Sequence, residues 1–165
     1  MPEYVPTIHV MRQTRAERAD EILKLTCPIT LISICGKYID TPRFPPLCTG
    51  SEVCSVRFED ITEGKRRIRA RHARKIWRYV KRAAKNHKDI IVHCEAGKSR
   101  SAAVAIAIQE RYPQYNIVFW EYGRRELKSG ESYENIHVAP NLHVLSTMTK
   151  KSKPLWRTRN TEGSP

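Results

Sequence analysis

Residues 89–112 read DIIVHCEAGKSRSAAVAIAIQERY. Three β-branched residues, Ile90, Ile91 and Val92, lead through His93 to Cys94, which suits a short buried strand. Six positions beyond the cysteine stands Arg100, with Gly97 and Lys98 between them, and residues 101–112 then run as a helix of small and aliphatic side chains that stops at Pro113. A strand, a tight glycine-containing loop and a helix therefore follow one another within 24 residues.

Working outward, β-like and helix-like stretches alternate. PTIHVM has strand character and leads into TRAERADEILKL, where Thr14 and Glu17 match a capping box and Ala16, Ala19, Ile22 and Leu23 recur at helical spacing. PITLISI (28–34) reads as a buried strand, and CGKYIDTPRFPPLCTGSE as a long glycine- and proline-marked connection. VCSVRFEDI is strand-like and ends in acids. Residues 65–85 form a basic helix with Ile68, Ile76, Trp77, Val80 and Ala84 on one stripe. NIVFWEYGRRELK and NLHVLSTMTK read as two further helices. The expected fold is α/β, a mainly parallel central sheet flanked by helices on both sides, with ligands bound beyond the carboxyl ends of the strands.

A chain of 165 residues is the size of one domain. We place that domain at 1–149 and a basic, flexible tail at 150–165. The longest clean apolar run, AAVAIAI, is far shorter than the ~20 residues of a membrane span, and the N-terminus lacks a signal-peptide core. Five cysteines (Cys27, Cys35, Cys48, Cys54 and Cys94) include no C-x-x-C pair, so free thiols in a reducing, cytoplasmic setting are expected, and the four other than Cys94 are read as small buried apolar residues. The histidines show no ligand spacing, so neither a metal nor another cofactor is expected.

The chemistry concentrates in HCEAGKSRS. A loop between a strand end and a helix start can turn several backbone N–H groups on an anion, aided by the positive end of the helix dipole. Glu95, Ala96, Gly97, Lys98, Ser99 and Arg100 would form this phosphate-binding loop. The same field favours the thiolate of Cys94, making it a nucleophile beneath a phosphorus atom. Arg100 can hold two phosphate oxygens in its planar fork, Gly97 allows the tight turn, and Ser101 can donate a hydroxyl hydrogen bond to the sulfur. His93 serves better as a shaper of the loop than as a proton carrier. Of the five cysteines, Cys94 alone has an arginine six positions on.

This segment resembles the H-C-x5-R-[ST] signature of cysteine-based protein tyrosine phosphatases, and most closely the A-G-x-S-R-S form of the compact dual-specificity class, carried here by Ala96, Gly97, Ser99, Arg100 and Ser101. Weaker similarity extends over about 8–145, including LISI, VRFEDI and APNLHVL, and is similar to small bacterial and phage phosphatases. The resemblance implies a single dual-specificity phosphatase-like domain that hydrolyses phosphotyrosine, and phosphoserine or phosphothreonine as well, through a phosphocysteine intermediate. It further implies a general acid on a loop after a strand some thirty residues before the cysteine. Asp60 lies 34 residues before Cys94, after CSVRF. Its competitors are Glu59, which strand alternation sends to the opposite face, and Glu63, further into the turn. No aspartate follows Cys94, unlike the low-molecular-weight tyrosine phosphatases.

Two alternatives stand beside this reading. Lys98 within the loop and the basic stretch 65–85 suit phosphoinositide or RNA 5′-phosphate hydrolysis, against which Glu95 counts for a highly anionic head group. A phospho-binding module without catalysis is the other, though Cys94, Asp60 and Arg100 are all present. The net charge is +13, and 65–85 carries eleven Lys or Arg with no acid. Such a run repels itself at i, i+4, and points to an acidic or nucleic-acid partner beside the phosphoprotein substrate.

Overall fold

A computed structural model describes residues 3–19, 23–24, 27–61 and 63–150. The sheet holds six strands: β1 (Thr7–Arg12), β2 (Ile29–Cys35), β3 (Glu52–Arg57), β4 (Asp89–Cys94), β5 (Asn116–Phe119) and β6 (Arg125–Leu127). Their spatial order is β3-β2-β4-β1-β5-β6; the first five run parallel and β6 returns antiparallel on β5. All seven residues of β2 are buried, as a strand covered on both faces requires.

Alternation along the strands divides the core into two layers. Ile8, Val10, Ile32, Ile34, Ile90 and Val92 face one side, packing with Ile76 and Val80 of α2 (Ala70–Lys85), Val104 of α3 (Arg100–Arg111) and Val144 and Met148 of α4 (Leu142–Thr149). Met11, Ile29, Leu31 and Ile91 face the other, where Ala16 of the four-residue α1 (Gln13–Ala16) is joined by Phe44 and Leu47 of the long connection after β2. Among the described residues, helices thus lie on both sides, α2, α3 and α4 on one and α1 on the other, where Phe44 and Leu47 of the connection add to the cover.

Three expectations need correction. NIVFWEYGRRELK is not a helix: Ile117 and Phe119 are buried alternately along β5, residues 120–122 form a single 3-10 turn, and Gly123 and Arg124 at positive φ reverse the chain into β6. Its apolar residues follow period two, and the pairing of β5 with β1 enforces it. Second, Thr14 does not cap a helix. Because β1 stays paired with β4 as far as Arg12, α1 starts at Gln13 with no side-chain cap. Ile22, part of the expected helical stripe, lies outside the described residues. Third, α2 begins at Ala70 rather than at 65. Arg69 is extended and its N–H donates to Nδ1 of His72, while the carbonyl of Arg66 accepts from the N–H of Glu59 and ties the preceding loop to the end of β3.

Cys27 is exposed and Cys48 partly so, whereas Cys35 and Cys54 are buried as expected. The tail 151–165 lies outside the described residues. No helix among them is long and apolar enough to cross a membrane.

Candidate active site

β4 ends at Cys94, in register with Arg12 at the end of β1, so the cysteine stands at the carboxyl edge in the middle of the sheet. α3 begins six residues later at Arg100. Gly97 takes φ +68°, and a Cβ there would collide with the backbone of Met11 and Arg12. Only glycine lets the loop lie this close to the end of β1. On the outer side, the hydroxyl of Tyr122 donates to the carbonyl of Lys98 (3.0 Å), and Glu121 accepts from the side chain of Arg15 (2.7 Å) and the N–H of Arg12 (3.4 Å). Burial works to raise the pKa of Glu121, but these bonds prevail and hold it below its ordinary value.

The loop has the donors an anion needs. Among the described residues, no acceptor takes a hydrogen bond from the backbone N–H groups of 95–99. Unmatched amides at the start of a three-turn helix form a ready seat for a tetrahedral oxyanion. Beneath them, Sγ of Cys94 lies 3.1 Å from Oγ of Ser101.

Arg100 is only 4% exposed. Its Nη1 donates to the carbonyl of Phe58 (2.9 Å), its Nη2 reaches Oε2 of Glu95 (3.4 Å), and its buried Nε has no partner among the described residues. The bond to Phe58 fixes one corner of the guanidinium. What remains is the Nε and Nη2 edge, the pair of parallel donors that can grip two oxygens of one phosphate once Glu95 gives way.

Asp60 faces this loop from the segment after β3. Its Oδ1 accepts from Oγ of Ser99 (2.8 Å) and from Nδ2 of Asn141 (2.7 Å), while no hydrogen bond from the described residues falls on Oδ2. Glu59 turns away, accepting from the N–H of Lys37 (2.7 Å), as strand alternation requires. Glu63 is exposed, and no hydrogen bond or ion pair among the described residues joins it to the loop.

His93 is fully buried, with Nε2 2.8 Å from Oγ of Ser33 and its ring edge-on to Phe44. Burial pushes its pKa down to about 4, and the nearby charge of Arg100 adds to the effect. A neutral, immobile imidazole fits a shaper of the loop. Cys54 has the opposite surroundings to a reactive thiol, with burial raising its pKa to about 11.

Cys94, Ser99, Arg100, Ser101 and Asp60 are therefore brought together, with His93 directly behind. Sequence reasoning passed over Asn141. One side chain caps α4, its Oδ1 accepting from the N–H of Val144 (3.0 Å), and holds Asp60, while its backbone N–H donates to the carbonyl of Ser99 (3.2 Å). An asparagine just before an apolar-periodic run is a legible N-cap signal; its reach to Asp60, 81 residues away, is not.

No protein-family model matches the chain, and no curated protein matches its sequence. Solved structures do. The human tyrosine phosphatase-like serine/threonine/tyrosine-interacting protein is similar at 16% identity and a TM-score of 0.54, over 83% of this chain and 85% of that one. The structure of Tk-PTP in the active form matches at 14% identity and a TM-score of 0.48, over 87% of this chain and 91% of that one.

Proposed function

From a tyrosine phosphatase-like fold with a cysteine, an arginine and an aspartate converging on one empty-handed loop of amides, we propose that the protein is a phosphoprotein phosphatase working through a phosphocysteine. The substrate phosphate enters the loop, where the amides of 95–99 and the Nε and Nη2 edge of Arg100 hold its oxygens. The Cys94 thiolate attacks phosphorus in line, the bond to the tyrosine or serine oxygen breaks, and Asp60 delivers the proton that oxygen needs to leave. The Asp60 carboxylate then takes a proton from water as the water attacks phosphorus. The sulfur departs as thiolate, eased by the hydroxyl of Ser101. In this reading no step calls for a metal, and the need for a reduced thiol fits a reducing compartment such as the cytoplasm.

The observation that carries this reading is the contact of the Cys94 sulfur with Ser101 at the foot of α3, directly under unmatched backbone donors. A buried structural cysteine has no use for such a setting. The test is release of phosphate from phosphotyrosine and phosphoserine peptides, from phosphoinositides and from 5′-triphosphorylated RNA. Cys94→Ser should abolish turnover of the peptides while still capturing them; peptide turnover by the serine variant, or turnover of only the last two substrates, would overturn the proposal.

The name of the human neighbour, an interacting protein that is tyrosine phosphatase-like, supports a second reading as a phospho-binding module. Capture of phosphopeptide by the unaltered protein with no phosphate released would decide for that module.

A further inference from the structure

Away from the cysteine, a groove of about 1730 Å³ opens between the 64–70 loop, the first two turns of α2, the end of α3 and α4. Its apolar lining, or floor, includes Ile68, Ala73, Ala107 and Met148, beside the Trp77 ring that Arg111 partly covers. Its rim is cationic: Lys65, Arg69, Arg74, Arg111 and Lys150 border it, against one acid, Glu110. From Arg74 a stripe continues along the exposed face of α2 through Arg78, Lys81 and Lys85, at spacings of four, three and four. None of these four has an acidic partner among the described residues, unlike Arg82, which pairs with Glu52. The stripe is about 16 Å long, the reach of five extended residues.

Four unpaired like charges on one helix face repel one another and weaken the helix. A floor that takes apolar side chains, ringed by charges of one sign, fits an occupant of the opposite build. We infer that this groove and stripe dock an acidic protein segment, a large apolar side chain seated on the floor and the neighbouring carboxylates laid along α2. Single-stranded nucleic acid would match the charge, but it binds through open aromatic faces. The Trp77 ring is already engaged, with the Arg111 guanidinium stacked 4.8 Å from its centre and its Nε1 donated to the carbonyl of Met148 (3.0 Å). The chain's own continuation is also a poor match. Residues 151–165 carry four Lys or Arg and one Glu, adding positive charge where negative charge is wanted. The inference stands apart from the catalytic proposal, since docking is read without turnover.

The test uses the full chain and a fluorescent twelve-residue peptide rich in Asp and Glu around one Phe, with a charge-matched oligouridylate and the same peptide with Phe replaced by Ser as comparisons. Anisotropy should show the Phe peptide binding most tightly, weakening steeply with salt. Amide resonances of the α2 and α4 residues lining the groove should move. Arg74→Glu with Arg78→Glu lies on the exposed face, so the melting temperature should hold while affinity falls roughly tenfold or more. Four results would overturn the inference: no peptide binding, tighter binding of the oligouridylate, indifference to the charge reversal, or groove resonances that respond to replacing Trp156, the one tryptophan of residues 151–165, by Ala and not to peptide. Self-association abolished by the charge reversal would likewise replace the acidic segment with a second copy.

Discussion

Consider the protonation of His93. The ring is fully buried and hydrogen-bonded to Ser33, and burial, with the positive charge of Arg100 adding to it, takes its pKa from the ordinary 6.5 to about 4. Above pH 6.5 the ring is neutral in both folded and unfolded chains, and its neutral burial costs nothing in protons. Below 6.5 the unfolded chain takes up a proton that the folded one refuses until about pH 4. Stability is therefore complete above 6.5, falls by about 1.4 kcal/mol per pH unit through the window and levels below 4, a total loss of about 3 kcal/mol. That is a large share of the 5–15 kcal/mol typical of a folded domain. Replacing His93 by Gln removes the titrating group and retains a hydrogen-bonding partner for Ser33. Urea unfolding of both proteins, followed by far-ultraviolet circular dichroism at intervals from pH 7.5 to 4, should show the parent's advantage over His93→Gln shrinking by about 3 kcal/mol. His9 and His72, whose pKa values burial also lowers, cancel because both proteins carry them. A constant gap across the range would refute the reasoning, as would a His93 ring resonance titrating near 6.5.

Other predictions concern the site. Asp60→Asn should slow turnover of substrates with poor leaving groups by about 10²–10⁴-fold and flatten the basic limb of the kcat profile; an unchanged profile would exclude Asp60 as the acid. Asn141→Ala removes the α4 cap and one of the two anchors of Asp60, so unfolding should become easier by about 1–2 kcal/mol and kcat should fall more than KM rises. If only stability drops, the asparagine caps a helix and nothing more. Gly97→Ala should reduce turnover by about 100-fold, because the added methyl pushes the loop off the end of β1; near-normal kcat would show that the loop has room to move.

How much of this could be read from the residues depended on distance along the chain. The strand, loop and helix around Cys94 are local, and the Cys94, Arg100 and Ser101 cluster followed from spacing alone. Asp60 was singled out by the resemblance, which implies an aspartate some thirty residues before the cysteine; alternation at the end of β3 only separated it from Glu59, and the structure sets it beside Ser99. NIVFWEYGRRELK was misread because a short, aromatic-rich run suits either period until a partner strand selects one, and that partner, β1, lies more than a hundred residues away. The roles of Asn141 and of the Phe58 carbonyl escaped for the same reason. Each depends on a contact spanning 81 or 42 residues, which no local pattern records.

The double anchoring of Asp60 bears on how such a site would work in time. Enzymes that carry a reacting group on a swinging flap wait for the flap on each cycle, and solvent friction slows them. Here the aspartate is fastened to Ser99 and Asn141 before anything arrives, and the Phe58 carbonyl clasps Arg100 two residues away. The two walls of the cleft are latched together at rest, so turnover should track the acidity of the departing oxygen and stay indifferent to added glycerol.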